Sequence, residues 1–102
     1  MARVVVTRVA KQDVRKIITY LNDRAGLGVA RRYAADFKNA YALLRHFPNS
    51  GPPRKSLGPF ARSKIIHPYV VIYDYADDMV MVLRVLHGHR KITVAMMERP
   101  RP

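Results

Sequence analysis

Residues 69–87 read YVVIYDYADDMVMVLRVLH, and this stretch predicts two strands joined by a tight turn. Apolar side chains recur at every second position on both sides of Ala76-Asp77-Asp78, which is the period of a β-strand. A short turn between two such strands implies an antiparallel hairpin. The first predicted strand is Tyr69–Tyr75, and one of its faces carries Tyr69, Val71, Tyr73 and Tyr75. The second predicted strand is Met79–His87. One of its faces carries Met79, Met81, Leu83 and Val85, and the other carries Val80, Val82, Arg84 and Leu86.

The rest of the chain supplies two helices and two further strands. Arg62–His67 predicts a strand that Pro68 interrupts, and the β-branched run Arg3–Thr7 predicts another. Lys11–Arg24 and Val29–Phe47 carry apolar side chains at helical spacing, and glycines between them favour a helical hairpin. The predicted order is β-α-α-β-β-β, with a final short helix or strand within Lys91–Met97. Because both helices must bury an apolar stripe, we expect an α+β, two-layer fold in which the N-terminal strand and the helical hairpin pack on a mainly antiparallel sheet.

Composition limits the classes of protein that remain. The chain has 102 residues, so we expect one domain over 1–102, with flexible ends at about 1–2 and 98–102. Lys and Arg number 19 against 7 Asp and Glu, for a net charge of +12 spread along the whole chain. Such a surface favours an acidic protein or a nucleic acid as partner, or serves solubility alone. Cysteine is absent, which excludes disulfides and thiolate sites. Without a transmembrane or signal-peptide pattern, we expect a cytoplasmic protein that contacts no membrane.

The patterns of common catalytic sites are missing. Glu98 is the only glutamate, and Asp74, Asp77 and Asp78 are explained by the predicted turn. No serine lies in a nucleophile-elbow pattern, and no glycine-rich phosphate loop occurs. His87-Gly88-His89 offers two imidazoles without a third ligand nearby, so we predict no metal and no cofactor.

Basic side chains form the more informative candidate site. Arg62 and Lys64 share a face of one strand, and a second group follows at the end of the last strand. If the two strands are neighbours, these side chains meet, and they could hold RNA phosphates, stabilise charge during phosphodiester cleavage or dock on an acidic protein. A solvated sheet edge is the simpler alternative. An arginine in the middle of an apolar strand indicates a partner or a function, because an unpaired buried charge is costly. The second group is Arg84, His87, His89, Arg90 and Lys91.

Residues 63–91 resemble the C-terminal half of the RelE/ParE toxin superfamily of bacterial toxin–antitoxin systems. The most specific pieces are YVVIY at 69–73 and VLRVLHGHR at 82–90. The first strand and the helix pair also fit, so that the resemblance covers about residues 3–92. It implies a RelE/ParE-like fold.

The superfamily holds two activities. RelE-like members cleave messenger RNA on the ribosome, and their pattern matches Arg62, Lys64 and Arg90 here; if this chain were such an endoribonuclease, Arg84 and His87 would complete the set. Two positions depart from that pattern, Val70 in place of an arginine and Met96 in place of a tyrosine. The run LHGHR at 86–90 is similar to ParE-like members, which are associated with poisoning DNA gyrase without chemistry of their own. The resemblance therefore implies a ParE-like toxin whose target-binding residues are Arg84, His87, His89, Arg90 and Lys91.

The resemblance also implies a partner. Toxins of this kind are neutralised by a ParD-like antitoxin, a small dimeric DNA-binding protein whose C-terminal segment wraps the toxin. An acidic segment would suit a surface of +12. DNA would then be contacted only indirectly, through the antitoxin. Three hypotheses remain open: a gyrase inhibitor, a ribosome-dependent ribonuclease, and an inactive member that only binds its antitoxin.

Overall fold

The computed structural model describes residues 1–100. The expected flexible C-terminal end therefore includes two residues, 101–102, that lie outside the described part of the chain. Among residues 1–100, no helix is both long and apolar enough to cross a membrane. The elements in chain order are β1 Arg3–Val6, α1 Arg8–Ala25, α2 Leu27–His46, a 3-10 turn Lys55–Leu57, β2 Ala61–Ile66, β3 Tyr69–Ala76, β4 Met79–His87 and a 3-10 turn Val94–Met96.

The two helices are longer and closer together than the sequence predicts. Thr7 caps α1, because its Oγ1 accepts a hydrogen bond from the Ala10 amide at 3.2 Å, so the helix starts three residues before the predicted Lys11. Gly26 alone separates α1 from α2, and its φ of 93° favours glycine. Gly28, predicted as part of the break, lies inside α2.

The sheet has the order β1-β4-β3-β2. The last three strands pair antiparallel, as predicted, whereas β1 runs parallel to β4. The turn between β3 and β4 consists of Asp77 and Asp78, whose φ angles of 52° and 57° are those of a tight two-residue hairpin turn. The structure thus confirms the predicted α+β class and the predicted element order.

Both faces of the sheet are covered. The helical hairpin packs on one face, around Phe37, Leu44 and Tyr73. The other face buries Ile72 and Leu83 beneath the segment that ends the chain. The chain ends, expected to be flexible, make contacts within the described residues: Ala2 is buried, and the Arg99 guanidinium binds the carboxylate of Asp74 at 2.7 Å.

A β-bulge in β4 corrects one predicted face. Ile72 pairs with Arg84 and Tyr73 with Val82, so Leu83 has no partner opposite it on β3. The extra residue reverses the alternation beyond it. Val85 therefore joins the core under the helices, although the strict period of two predicts it on the face of Leu83.

The hydroxyl groups of Tyr41 and Tyr73 are shielded from solvent, and replacing each tyrosine with phenylalanine should have opposite effects on stability. The Tyr41 hydroxyl is buried and has no hydrogen-bond partner among the described residues, and burial with the nearby Asp13 raises its pKa to about 12. The Tyr73 hydroxyl accepts from the Gly51 amide at 3.0 Å and donates to the Pro48 carbonyl at 2.7 Å. We expect Tyr41→Phe to raise the free energy of unfolding by about 1 kcal/mol and Tyr73→Phe to lower it by about 2 kcal/mol. Urea unfolding followed by circular dichroism measures both, and destabilisation by Tyr41→Phe would show that its hydroxyl has a bonded partner such as a water.

Candidate functional site

The two groups of basic residues do not meet. β3 lies between β2 and β4, so the strands that carry them are not neighbours, and the expected convergence is wrong. Arg62 donates to the carbonyl oxygens of Asn49 and Gly51, at 3.2 and 2.8 Å. Lys64 donates to the Ser50 hydroxyl at 3.3 Å. These two residues therefore hold the loop before β2 against the outer edge of the sheet.

The Arg84 guanidinium is held by hydrogen bonds to other parts of the chain. It forms a bidentate pair with Asp13 of α1, at 2.8 and 3.0 Å, and donates to the Met96 carbonyl at 3.0 Å. The Asp13 carboxylate also accepts from the Val85 amide at 3.0 Å. The hydrogen bonds to Asp13 raise the pKa of Arg84 above its ordinary value, while partial burial opposes the shift. Arg84 thus joins α1, β4 and the C-terminal segment, and its predicted part in target binding stays a prediction.

The residues after β4 form an ordered turn. The Arg90 amide donates to the His87 carbonyl at 3.0 Å, and the Gly88 amide donates to the Pro68 carbonyl at 2.7 Å. A Cβ on Gly88 would lie 3.0 Å from that same Pro68 oxygen, so only glycine allows this close approach without a shift. We call residues 87–91 the basic turn. It lies beside the β2–β3 connection, at one end of the sheet.

Two imidazoles on the basic turn are organised by their neighbours. The rings of His87 and His89 stack with centroids 5.0 Å apart, and the His89 amide donates to His87 Nδ1 at 3.1 Å. His87 also meets the buried ring of Tyr69 edge-on at 5.8 Å. Among residues 1–100, no three His, Cys, Asp or Glu side chains gather as a metal site would need.

The basic turn presents cations next to exposed apolar groups. The side chains of Arg90 and Lys91 are exposed, and neither takes part in an ion pair within the described chain. Ile65 is 70% exposed and lines a pocket together with His89. Tyr20 is 56% exposed and lines a second pocket together with His87, so the two apolar groups lie on the two sides of the basic turn. This arrangement can bind an acidic surface.

The tyrosines of β3 belong to the core under the helices. Tyr69 and Tyr73 are buried, and Tyr75 is partly buried against the same cluster. Asp74, predicted as a turn residue, lies in β3 and pairs with Arg99. Sequence reasoning missed the role of Asp13, although Asp13 is the single acid in the basic first half of α1, which was the available signal.

A second surface lies on the helical hairpin. An open apolar groove of about 340 Å³ runs between α1 and α2 and reaches Val6 at the end of β1. Val14 and Tyr41 contribute to its walls, and Lys11 and Lys38 also line it. It therefore combines apolar area with positive charge, as a docking groove for an amphipathic acidic segment would.

Comparisons with known proteins find similarity to ParE and RelE toxins. Residues 4–92 match the model of the ParE toxin of the type II toxin–antitoxin system parDE. Two curated relatives come from Caulobacter vibrioides. Toxin ParE3 is 26% identical over 94% of this chain and 96% of its own length. Toxin RelE2 is 32% identical over 88% of this chain and 99% of its own.

Two solved structures share the fold. A chain of the chromosomal ParDE system from P. aeruginosa superposes with a TM-score of 0.73 at 21% identity, covering 85% of this chain and 96% of that one. A chain of the toxin–antitoxin complex RelBE2 from Mycobacterium tuberculosis gives a TM-score of 0.61 at 28% identity, covering 84% and 96%.

Proposed function

Since the chain belongs to the ParE toxin family of type II toxin–antitoxin systems, we propose that it arrests bacterial growth by binding DNA gyrase and that a cognate ParD-like antitoxin neutralises it. The observation that carries the gyrase proposal is the basic turn, in which LHGHR at 86–90 ends in exposed cations. Binding needs such a surface, whereas catalysis would need an assembled set of reacting groups. We place the target-binding residues at His87, His89, Arg90 and Lys91, on a single domain that acts in the cytoplasm.

For the antitoxin we propose the hairpin groove beside β1 as the docking site. The groove is apolar, and Lys11 and Lys38 lie along it. An acidic, partly disordered antitoxin tail could fold there with its apolar side chains inward and its carboxylates toward these lysines. The groove and the basic turn are formed by different residues, so that antitoxin binding and target binding can be perturbed separately. DNA would be reached through the antitoxin.

A ribosome-dependent ribonuclease is the second candidate. The 32% identity to Toxin RelE2 favours it. Its residue set would be Arg62, Lys64, Arg84, His87 and Arg90. Against it, Arg84 is engaged by Asp13, and Arg62 is engaged by loop carbonyls on the far side of β3. Arg62 and Arg84 would have to leave these hydrogen bonds before they could stabilise the negative charge of a phosphorane.

Expression without antitoxin in a bacterial host distinguishes the two candidates. We expect growth arrest together with induction of an SOS reporter, because a poisoned gyrase leaves broken DNA. Purified toxin should then stabilise gyrase–DNA cleavage complexes. Growth arrest with intact DNA and messages cut at ribosomal A sites would contradict the gyrase proposal and support the ribonuclease. Unimpaired growth at confirmed expression would favour an inactive member.

A further inference from the structure

A pocket of about 470 Å³ opens at the end of the sheet that carries the basic turn. α1 forms one wall with Ile17, Tyr20 and Leu21, and the floor and opposite wall include Tyr69 and His87. His87 thus belongs both to this pocket and to the basic turn. The pocket therefore adjoins the basic turn at His87.

The floor of the pocket is rigid. Tyr69 is 6% exposed, and its ring meets Tyr33 edge-on at 5.7 Å and His87 edge-on at 5.8 Å. Burial raises the pKa of Tyr69, and the nearby Tyr33 and Tyr20 hydroxyls raise it further, in agreement with three rings gathered at this place. The Gly88–Pro68 hydrogen bond fixes the far wall. A preformed apolar recess of this kind loses little conformational entropy when it is filled.

The rim of the pocket is half-exposed and cationic. Tyr20 leaves 56% of its surface in solvent and carries the Arg24 guanidinium over its ring at 5.6 Å. Lys16 lines the same opening. An exposed aromatic beside an apolar recess and surrounded by cations is the pattern of an interface anchor for an acidic partner.

We propose that this pocket receives an apolar side chain from an acidic segment of the target protein, while Arg90 and Lys91 of the adjoining basic turn bind carboxylates of the same segment. This inference rests on the proposed function, in which the target is gyrase. A single-stranded nucleic acid fits less well, because one lysine lines the recess and its walls include the aliphatic side chains of Ile17 and Leu21. Tyr20 is then the anchor contact that gives the basic turn its specificity.

Substitution of Tyr20 tests the proposal. We expect Tyr20→Ala to weaken binding of the purified toxin to immobilised gyrase at least tenfold, and Tyr20→Phe to keep most of the affinity. Affinity for the antitoxin encoded in the same operon should change less than threefold, because Tyr20 lies outside the hairpin groove. Phe60→Ala is the matched control, since Phe60 is an equally exposed aromatic at 57% and lies outside the pocket. Lys16→Glu should weaken gyrase binding and flatten its dependence on salt.

The outcomes separate this inference from the function on which it rests. If the folded Tyr20→Ala toxin binds gyrase as tightly as the wild type, the inference is overturned. The proposed function still stands in that case, because the wild-type toxin binds gyrase. A loss of antitoxin affinity instead would assign the pocket to the antitoxin. Binding of a single-stranded RNA oligonucleotide that Tyr20→Ala abolishes would make the pocket a nucleic-acid site. Failure of the wild-type toxin to bind gyrase would remove the proposed function and this inference together.

Discussion

We expect Asp13→Ala to lower the free energy of unfolding by about 3 kcal/mol, which is the largest effect on stability predicted for this chain. The substitution leaves the Arg84 guanidinium, whose side chain is 15% exposed, without its carboxylate. It also removes the acceptor of the Val85 amide. The Arg84 guanidinium and the Val85 amide would remain largely shielded from water, where an unpaired charge and an unpaired amide are costly.

Urea unfolding followed by circular dichroism measures this effect, and two further variants identify its cause. Asp23→Ala, an exposed acid on the same helix, should change the free energy of unfolding by less than about 0.5 kcal/mol. Combining Asp13→Ala with Arg84→Met should recover much of the loss, because it removes the stranded charge, but not the part owed to the Val85 amide. Equal losses in Asp13→Ala and Asp23→Ala would contradict the structural role assigned to the ion pair.

The second large effect concerns toxicity. We expect the double substitution Arg90→Glu with Lys91→Glu to abolish growth arrest at an expression level at which the wild-type toxin is lethal. It changes the charge of the basic turn by four units without removing a side-chain contact, since both side chains are exposed. An acidic target should then be repelled, which lowers the association rate and the affinity by more than tenfold.

Growth assays and gyrase binding measure the change, and the antitoxin provides the test of folding. The double variant should still bind the antitoxin within about threefold of wild type, because neither position lines the hairpin groove. Arg54→Glu with Lys55→Glu is the matched control: it makes the same charge change beside the start of β2, where the Arg54 amide bonds Ala61. A folded Arg90/Lys91 variant with full toxicity would rule out the basic turn as the target surface.

Local patterns in the sequence predicted most of the fold. The alternation around the Asp77-Asp78 turn, the stripe of α1 and the β-branched run at Arg3–Thr7 each carry their own signal, and each element is present. Helix ends were placed less well, because the cap made by Thr7 and the single-residue break at Gly26 depend on backbone geometry that the apolar spacing does not record.

The features that were missed depend on contacts between distant parts of the chain. Asp13 and Arg84 are 71 positions apart, and nothing near either residue indicates the other. The bulge at Leu83 arises in the pairing of β4 with β3, so the period of two within β4 does not reveal it. The position of β3 between the two basic strands likewise follows from strand order, a property of the assembled sheet. Of the candidate site, the residues of the basic turn are exposed and their role in target binding stays a prediction, whereas Arg84 is paired with Asp13.

The parallel pairing of β1 with β4 has a consequence for synthesis of the protein. Residues 3–6 find their partners at 79–82, near the opposite end of the chain, and the core under the helices closes only when Val85 is in place. During synthesis, the first strand and both helices are therefore made well before the strands against which they pack. During that interval the apolar stripe of α1 has no sheet to cover it, and contacts of such long sequence separation also slow folding. The basic turn, which follows β4 directly, and the residues that cover the other face of the sheet are synthesised later still. An antitoxin present during synthesis would therefore meet the helical hairpin, its proposed docking site, before the sheet beneath the hairpin and the proposed target-binding surface have formed.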